Sequence, residues 1–295
     1  MKSVLAIDIG GTYIKYGLIH ENYQISNKGK VKTPNTTTED FLNELKSLYD
    51  SYKEEIRGIA ISAPGRISEE GVMLTAGILE YLEGFNLAQE LSKVCDNIDV
   101  TVENDGKAAA LCEATIGSGK DYPNSVALIF GTGIGGGVII NKEILRGCYL
   151  IAGEFSPIFT NYEADNYDCF AKLYSTISVV NKAKEITHED DLNGERMMAL
   201  YREKNHSELN DYLDAWFFAI AKFCYNIDCL YNPDVICIGG GISADPLFVE
   251  RIKENIDIIY EEALVFRKPK VEVCMYQNDS NLLGAYCRFI KMKGK

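Results

Sequence analysis

The chain has 295 residues, 46% hydrophobic and 25% charged, enough to bury one large core or two ordinary ones. Its formal net charge is −13, and no Lys/Arg-rich run offsets it, so a nucleic-acid backbone is repelled rather than gripped. Its 9 Cys are scattered with no CxxC, which fits reduced thiols in a cytoplasmic protein; its 3 His, well separated, argue against a His-rich metal site.

The apolar run Val4–Ile7 stops at Asp8, too short for a signal peptide or membrane span. A Gly-Gly-Thr turn follows, and Ile14–Ile19 resumes as a strand, so the two runs read as a hairpin. Apolar residues at 41, 42, 45, 48, 49 and 52 give a helical period over Thr38–Glu54. Ile56–Ser62 is a strand ending at the turn Pro64-Gly65. Asn86 caps a helix through Val94, and Ile98–Glu103 is a strand. Asn104 and Asp105 then open an Ala-rich helix to about Thr115.

Residues 116–124 (IGSGKDYPN) form the clearest linker. Ser125–Phe130 and Val138–Ile140 are strands around GTGIGGG. Residues 160–231 read as almost wholly helical, ending in a helix from Glu208 to Tyr231 that Asn232-Pro233 stops. The strand Val235–Ile238 runs into Gly239-Gly240-Gly241. A helix over Leu247–Tyr260, a strand over Val271–Met275 and a helix over Ser280–Ile290 close the chain. The unit strand, glycine turn, strand occurs at 4–19 and again at 125–140. This points to two similar α/β halves with an interdomain cleft: residues 1–115 joined by 280–295, and residues 116–279.

Glycine turns follow apolar strands at Asp8–Thr12 (DIGGT), Gly131–Gly137 (GTGIGGG) and Gly239–Ser243 (GGGIS). Successive N–H groups in such turns can cradle phosphate oxygens. Each turn alone is equally a tight hairpin without ligand. The match of Gly131–Gly136 to GxGxxG is not a dinucleotide fingerprint, because a strand rather than a helix follows. A protein-kinase glycine loop also matches, but the chain has neither HRD nor DFG. Asp8, a carboxylate at the end of a buried-looking strand, fits a Mg²⁺ ligand acting through water, or else a turn-initiating Asp. Lys15 faces either phosphate or solvent.

The ordered segments DIGGTYIKYGLI, SAPGRI, VENDGKAAALCEATIG, FGTGIGGGVI, RGCYLIAGEF and ICIGGGIS resemble the ROK sugar kinases, of the actin-like, ribonuclease-H-fold ATPases. The resemblance runs from Val4 to about Ser243. It implies ATP and Mg²⁺ as cofactors, a sugar as acceptor and a homodimer. It makes Asp8, Gly10, Gly11 and Thr12 the first phosphate loop, Gly131, Thr132, Gly133 and Gly135 the second, and Gly239, Gly240 and Gly241 the adenosine loop. By the same resemblance Asn104, Glu154, Pro64 and Gly65 bind sugar and Asp105 is the catalytic base. A carboxylate at a helix start would be held ionised by the helix dipole and could orient the attacking hydroxyl, although Asn104 or Asp105 could equally be a simple helix cap.

The sequence departs from the family pattern after Glu154. AGEF continues Ser156-Pro157, so the expected His is absent; Cys169 stands without a cysteine cluster, and Ala171 takes the place of a second Glu. No zinc site is therefore expected. Losing two polar groups on the anomeric side, with space opened beside Ser156, Pro157 and Ala171, leans the expectation to β-glucosides such as cellobiose, phosphorylated at the 6-hydroxyl. Lys107 replaces a family Asn, which either alters the network supporting Asp105 or, the favoured reading, makes it an exposed helix lysine. Alternatives are a glucokinase, a kinase for an N-acetylated amino sugar, an actin-type structural protein, and the family's transcriptional repressors. Against the last stand the first strand near Ser3 and the acidic charge.

Overall fold

The computed structural model describes residues 2–263 and 267–294. They group into two compact units: residues 2–115, 146–152 and 279–294, and residues 116–145 with 153–263 and 267–278. The expected domain ranges also take in residues 1, 264–266 and 295, which lie outside the described residues.

In the first unit, β1 (Ser3–Ile9) and β2 (Tyr13–Ile19) pair antiparallel, with Asp8 opposite Lys15. The strand β3 (Ile25–Lys32) pairs antiparallel with β2 at the sheet edge. The sequence reading contains no such strand: SNKGK offers no apolar run, and an edge strand needs none. Helix α1 (Thr38–Tyr52) starts where the Thr37 hydroxyl accepts from the Asp40 N–H, and it buries Phe41, Leu45, Leu48 and Tyr49. Strand β4 (Ile56–Ala63) pairs parallel with β1. Helix α2 (Leu87–Val94) is capped by Asn86, and β5 (Asp99–Asn104) pairs parallel with β4 before α3 (Asp105–Thr115).

In the second unit, β6 (Ser125–Phe130) and β7 (Ile134–Ile140) form the second glycine hairpin, extended by the short β8 (Glu143–Ile144). The helices are α4 (Phe170–Tyr174), α5 (Thr176–Thr187), α6 (Gly194–Glu203) and α7 (Ser207–Tyr231). The expected helical run from 160 starts late. Residues 160–169 are non-helical, with Thr160 N–H donating to the Asp168 carbonyl at 3.1 Å and a bridge between Phe159 and Cys169. Asn and Asp side chains there bond nearby main-chain groups and compete with helix: Asn161 and Asn166 each accept an N–H two residues on. Strand β9 (Val235–Gly239) pairs parallel with β6, α8 (Pro246–Glu262) carries Pro at its first turn, and β10 (Lys270–Val273) pairs parallel with β9. Helix α9 (Ser280–Lys293) belongs to the first unit.

The two sheets read β3-β2-β1-β4-β5 and, taken from the other edge, β8-β7-β6-β9-β10. Position by position the orders and strand directions agree. The repeat of strand, glycine turn and strand is thus the centre of a repeated five-stranded α/β layer, the fold class expected from sequence.

Two corrections concern the first unit. Segment 146–152, which the sequence reading gives to the second half, groups with the first, where Arg146 ion-pairs with Glu103. Lys107 is 2% exposed rather than a surface residue. Every residue from Gly106 to Ala114 is buried, and α9 comes so near that a Cβ on Gly284 would lie 1.8 Å from the Ala108 carbonyl oxygen. An Ala-rich helix permits that approach, and with it the surface that Lys107 was expected to occupy disappears.

Candidate active site

In the first unit several of the expected site residues gather at the C-terminal ends of three parallel strands. Asp8 on β1 is in register with Ser62 on β4, and Ser62 with Glu103 on β5. At a strand spacing of about 4.8 Å, their Cα atoms span roughly 10 Å. Such strand ends are where open α/β sheets bind ligands.

Asp8 is 8% exposed. Its Oδ1 accepts from Ser62 Oγ at 3.1 Å and from Asn281 Nδ2 at 3.0 Å, while Lys15 Nζ lies 3.9 Å from Oδ2. Lys15 therefore turns toward Asp8. Burial raises the Asp8 pKa above the ordinary carboxylate value, opposed by the Asn281 bond, the Lys15 charge and the Ser62 bond. The turn after it is braced: Gly10 N–H donates to the Tyr13 carbonyl at 3.1 Å, and Thr33 Oγ1 donates to the Gly10 carbonyl at 2.7 Å. Thr33 N–H donates to the Thr12 carbonyl at 3.0 Å. A Cβ on Gly11 would lie 1.9 Å from Ile78 Cδ1.

Asn104 ends β5 and caps α3, its Oδ1 accepting from Lys107 N–H at 2.9 Å. Its Nδ2 donates to the Gly65 carbonyl at 2.9 Å and to Asp105 Oδ1 at 3.1 Å. Asp105 Oδ1 also accepts from Gly106 N–H at 2.7 Å. Capping and site placement are thus one arrangement: the bonds that start the helix also hold the half-buried Asp105. Gly65, at φ +92°, turns beside Thr75, whose carbonyl oxygen a Cβ would meet at 2.1 Å. Pro64, Gly65, Asn104 and Asp105 therefore stand together. Behind them Glu103, fully buried, accepts from Asn104 N–H at 3.0 Å and from both guanidinium ends of Arg146.

In the second unit the two remaining turns lie side by side. Gly240, at φ +96°, passes so close to β6 that a Cβ would lie 1.9 Å from the Phe130 carbonyl oxygen. Gly239 leads into it from β9. A cavity of about 740 Å³ is lined by Gly131, Gly241, Phe130, Ile177, Ile242 and Pro246, with Glu195, Arg202 and Asp245 among its polar groups. Gly131 N–H bonds across its own turn to the Gly133 carbonyl at 2.9 Å, and Thr132 is exposed. Gly135 sits in β7 opposite Ile129. Ser156 is half-buried and Pro157 exposed. The Ser156 hydroxyl accepts from Ile134 N–H at 2.9 Å and donates to the Ile134 carbonyl at 3.1 Å, clasping the first residue of β7. Ala171 N–H donates to the Ser156 carbonyl at 3.1 Å. Glu154, half-buried, follows Gly153 at φ +78°.

The reading from sequence did not single out Glu103, Arg146, Asn281 or Ser62. Glu103 sits beside the Asn-Asp pair, so its place in VEND was the available signal. Arg146 and Asn281 reach the site only through tertiary folding.

For Mg²⁺ the residues fit. A buried carboxylate whose Oδ1 takes two neutral donors and whose Oδ2 stands 3.9 Å from a lysine is suited to face a hydrated cation. Among the described residues no group of three or more His, Cys, Asp or Glu is placed to hold a metal by protein ligands alone. No described helix is long and apolar enough to cross a membrane.

A model of the ROK family matches residues 4–291. The beta-glucoside kinase of Listeria monocytogenes is 29% identical over 299 residues, covering 99% of each chain. The N-acetyl-D-glucosamine kinase of Haemophilus influenzae is 27% identical and covers 86% of each. A ROK family protein from Streptococcus pneumoniae, solved in complex with sucrose, superimposes with a TM-score of 0.89 at 29% identity, covering 99% of each chain.

Proposed function

We propose, from the premise that this chain belongs to the ROK family and is an ATP-dependent sugar kinase, that its preferred acceptors are β-glucosides such as cellobiose, phosphorylated at the 6-hydroxyl of a glucose unit. The observation that carries this is the stretch Gly153–Pro157, where Ser156-Pro157 stands in place of the family's His. A free anomeric hydroxyl loses a polar partner there, while a substituted one needs none. The likeness to the Listeria beta-glucoside kinase supports the same acceptor.

In this proposal Asn104, Pro64, Gly65 and Glu154 bind the glucose unit, and Asp105 accepts the proton of the 6-hydroxyl. The freed oxygen attacks the γ-phosphorus as the bond to ADP breaks. Most of the catalysis is positioning and charge stabilisation. The bonds from Asn104 and Gly106 that fix Asp105 support this role. The glycine turns at 10–12, 131–135 and 239–241 hold the phosphates and adenosine, and the cavity bounded by Gly131 and Gly241 suits the nucleoside. Asp8 would hold Mg²⁺ through water, and the ion would supply positive charge to neutralise the phosphates. We assign the protein to the cytoplasm, consistent with nine free cysteines, and assign it a homodimer, to be checked by sedimentation.

ADP release measured with glucose, cellobiose and N-acetylglucosamine tests the acceptor. The expected kcat/KM for cellobiose exceeds that for glucose by about tenfold or more. A preference for glucose overturns the β-glucoside assignment. A preference for N-acetylglucosamine favours the second reading, an amino-sugar kinase, to which the likeness to the Haemophilus enzyme points.

A further inference from the structure

The Glu103 carboxylate is fully buried and takes no part in the chemistry described above, yet it is held by several partners. Its side chain is 1% exposed and that of Arg146 is 12% exposed. Arg146 engages it with both arms of the guanidinium: Nη1 donates to Oε1 at 3.2 Å and Nη2 donates to Oε2. Arg288 Nε lies 3.5 Å from Oε2. Oε1 also accepts the N–H of Asn104 at 3.0 Å. One carboxylate thus bonds the guanidinium of Arg146 and the main chain of the residue that caps α3.

From that main-chain bond the connections run directly to the reacting group. Asn104 Nδ2 donates to Asp105 Oδ1 at 3.1 Å and to the Gly65 carbonyl at 2.9 Å, and Asn104 Oδ1 takes the N–H of Lys107 at 2.9 Å. Arg146 also opens a closed loop. Ala152 N–H returns to the Arg146 carbonyl at 3.1 Å, and Leu150 N–H to the Gly147 carbonyl at 3.2 Å. The chain then runs on through Gly153 to Glu154. A lysine could supply the charge but not the two-armed geometry that sets the carboxylate plane. Glu69, whose carboxylate lies 3.9 Å from Arg146 Nε, is 66% exposed and adds little through solvent screening.

We propose that Arg146 is a positioning residue for phosphoryl transfer: through Glu103 it sets the Asn104–Asp105 turn, so that Asp105 meets the acceptor hydroxyl at the reactive angle. Resting on the kinase activity proposed above, this assigns a function to a residue outside the sugar and nucleotide loops. Loss of the fork frees Glu103 to rotate, moving the Asn104 main chain and, with it, Asp105. Misplacement on the ångström scale lowers the chemical step while leaving the nucleotide site of the other unit untouched.

The test is steady-state kinetics on the full chain with Arg146→Ala and Arg146→Lys, alongside the wild type, with cellobiose or the best acceptor found. Arg146→Ala is expected to lower kcat by about 100-fold while KM for ATP stays within about twofold. Arg146→Lys, which keeps the charge and favours folding, is expected to lower kcat by about tenfold. Added millimolar guanidinium should raise kcat of Arg146→Ala and leave the wild type unchanged. A purely structural role predicts instead a lower melting temperature with normal kcat per folded molecule and no rescue. Should both variants keep kcat within about twofold of the wild type, the positioning role is overturned while the kinase reading stands. If Arg146→Ala does not fold, Arg146→Lys alone decides by the same criterion. A wild type that releases no ADP with any acceptor overturns the underlying reading as well.

Discussion

In the first unit the ends of β1, β4 and β5 carry Asp8, Ser62, Glu103, Asn104 and Asp105, polar groups to which the proposed function gives the proton, the cation and the acceptor hydroxyl. In the second unit the matching strand ends carry Gly131, Gly239 and Gly240, and beside them an apolar-walled cavity. The strand order is the same in both. One layer design thus carries two kinds of strand end: polar side chains braced by neighbours, and a close main-chain approach where a Cβ on Gly239 or Gly240 would collide. The first kind should tolerate backbone change and fail on side-chain loss; the second should do the reverse.

The sharpest way to break this contrast is Asn104→Ala. It removes the bonds to Gly65, Asp105 and Lys107 N–H at once, and kcat should fall about 100-fold, read by ADP release. Next is Gly240→Ala, whose Cβ would lie 1.9 Å from the Phe130 carbonyl oxygen at a φ of +96°. It should cost about 1–3 kcal/mol of stability and weaken ATP binding. Gly241→Ala, with nothing within 4 Å of its Cβ, should stay within about 0.5 kcal/mol of the parent by thermal melts. Ser156→Ala loses both bonds to Ile134. Since removing the hydroxyl leaves one donor and one acceptor on β7 without it, a loss of about 1–2 kcal/mol is expected, read by denaturant titration.

The smallest effect is a matter of sign. The folded Asp8 pKa is raised above its unfolded value. Ionised Asp8 therefore opposes folding, a penalty absent below the unfolded pKa and complete once pH has risen past the folded one. Asp8→Asn should melt higher than wild type at neutral pH, with that advantage shrinking as pH falls toward 4, while turnover drops. An advantage that grows on acidification would contradict the burial argument.

The repeated hairpin was legible because its strands are continuous apolar runs and its turns are glycine; both survive translation into structure. The Asn104–Asp105 helix start was legible for a similar reason, since capping chemistry is local. What was not legible depends on distant partners or lacks local pattern. Strand β3 is an edge whose alternation, half exposed, is carried by polar residues. Lys107 looks like a surface lysine until α9 covers its helix. The Ser156 hydroxyl clasps Ile134, 22 positions away, a partner that no local pattern names. Segment 146–152 looks continuous with β8 until Arg146 is found on Glu103. Asn281 stands 273 positions from the Asp8 it bonds, a distance no periodicity reports.

The most direct test of the division between side-chain and main-chain sites is a paired measurement on Asp105→Asn, which preserves shape and removes the proposed proton acceptor. ATP affinity by equilibrium binding should stay within about twofold of wild type, and kcat with the best sugar acceptor should fall by about 1,000-fold. Sugar-dependent ADP release at the wild-type rate would contradict the account.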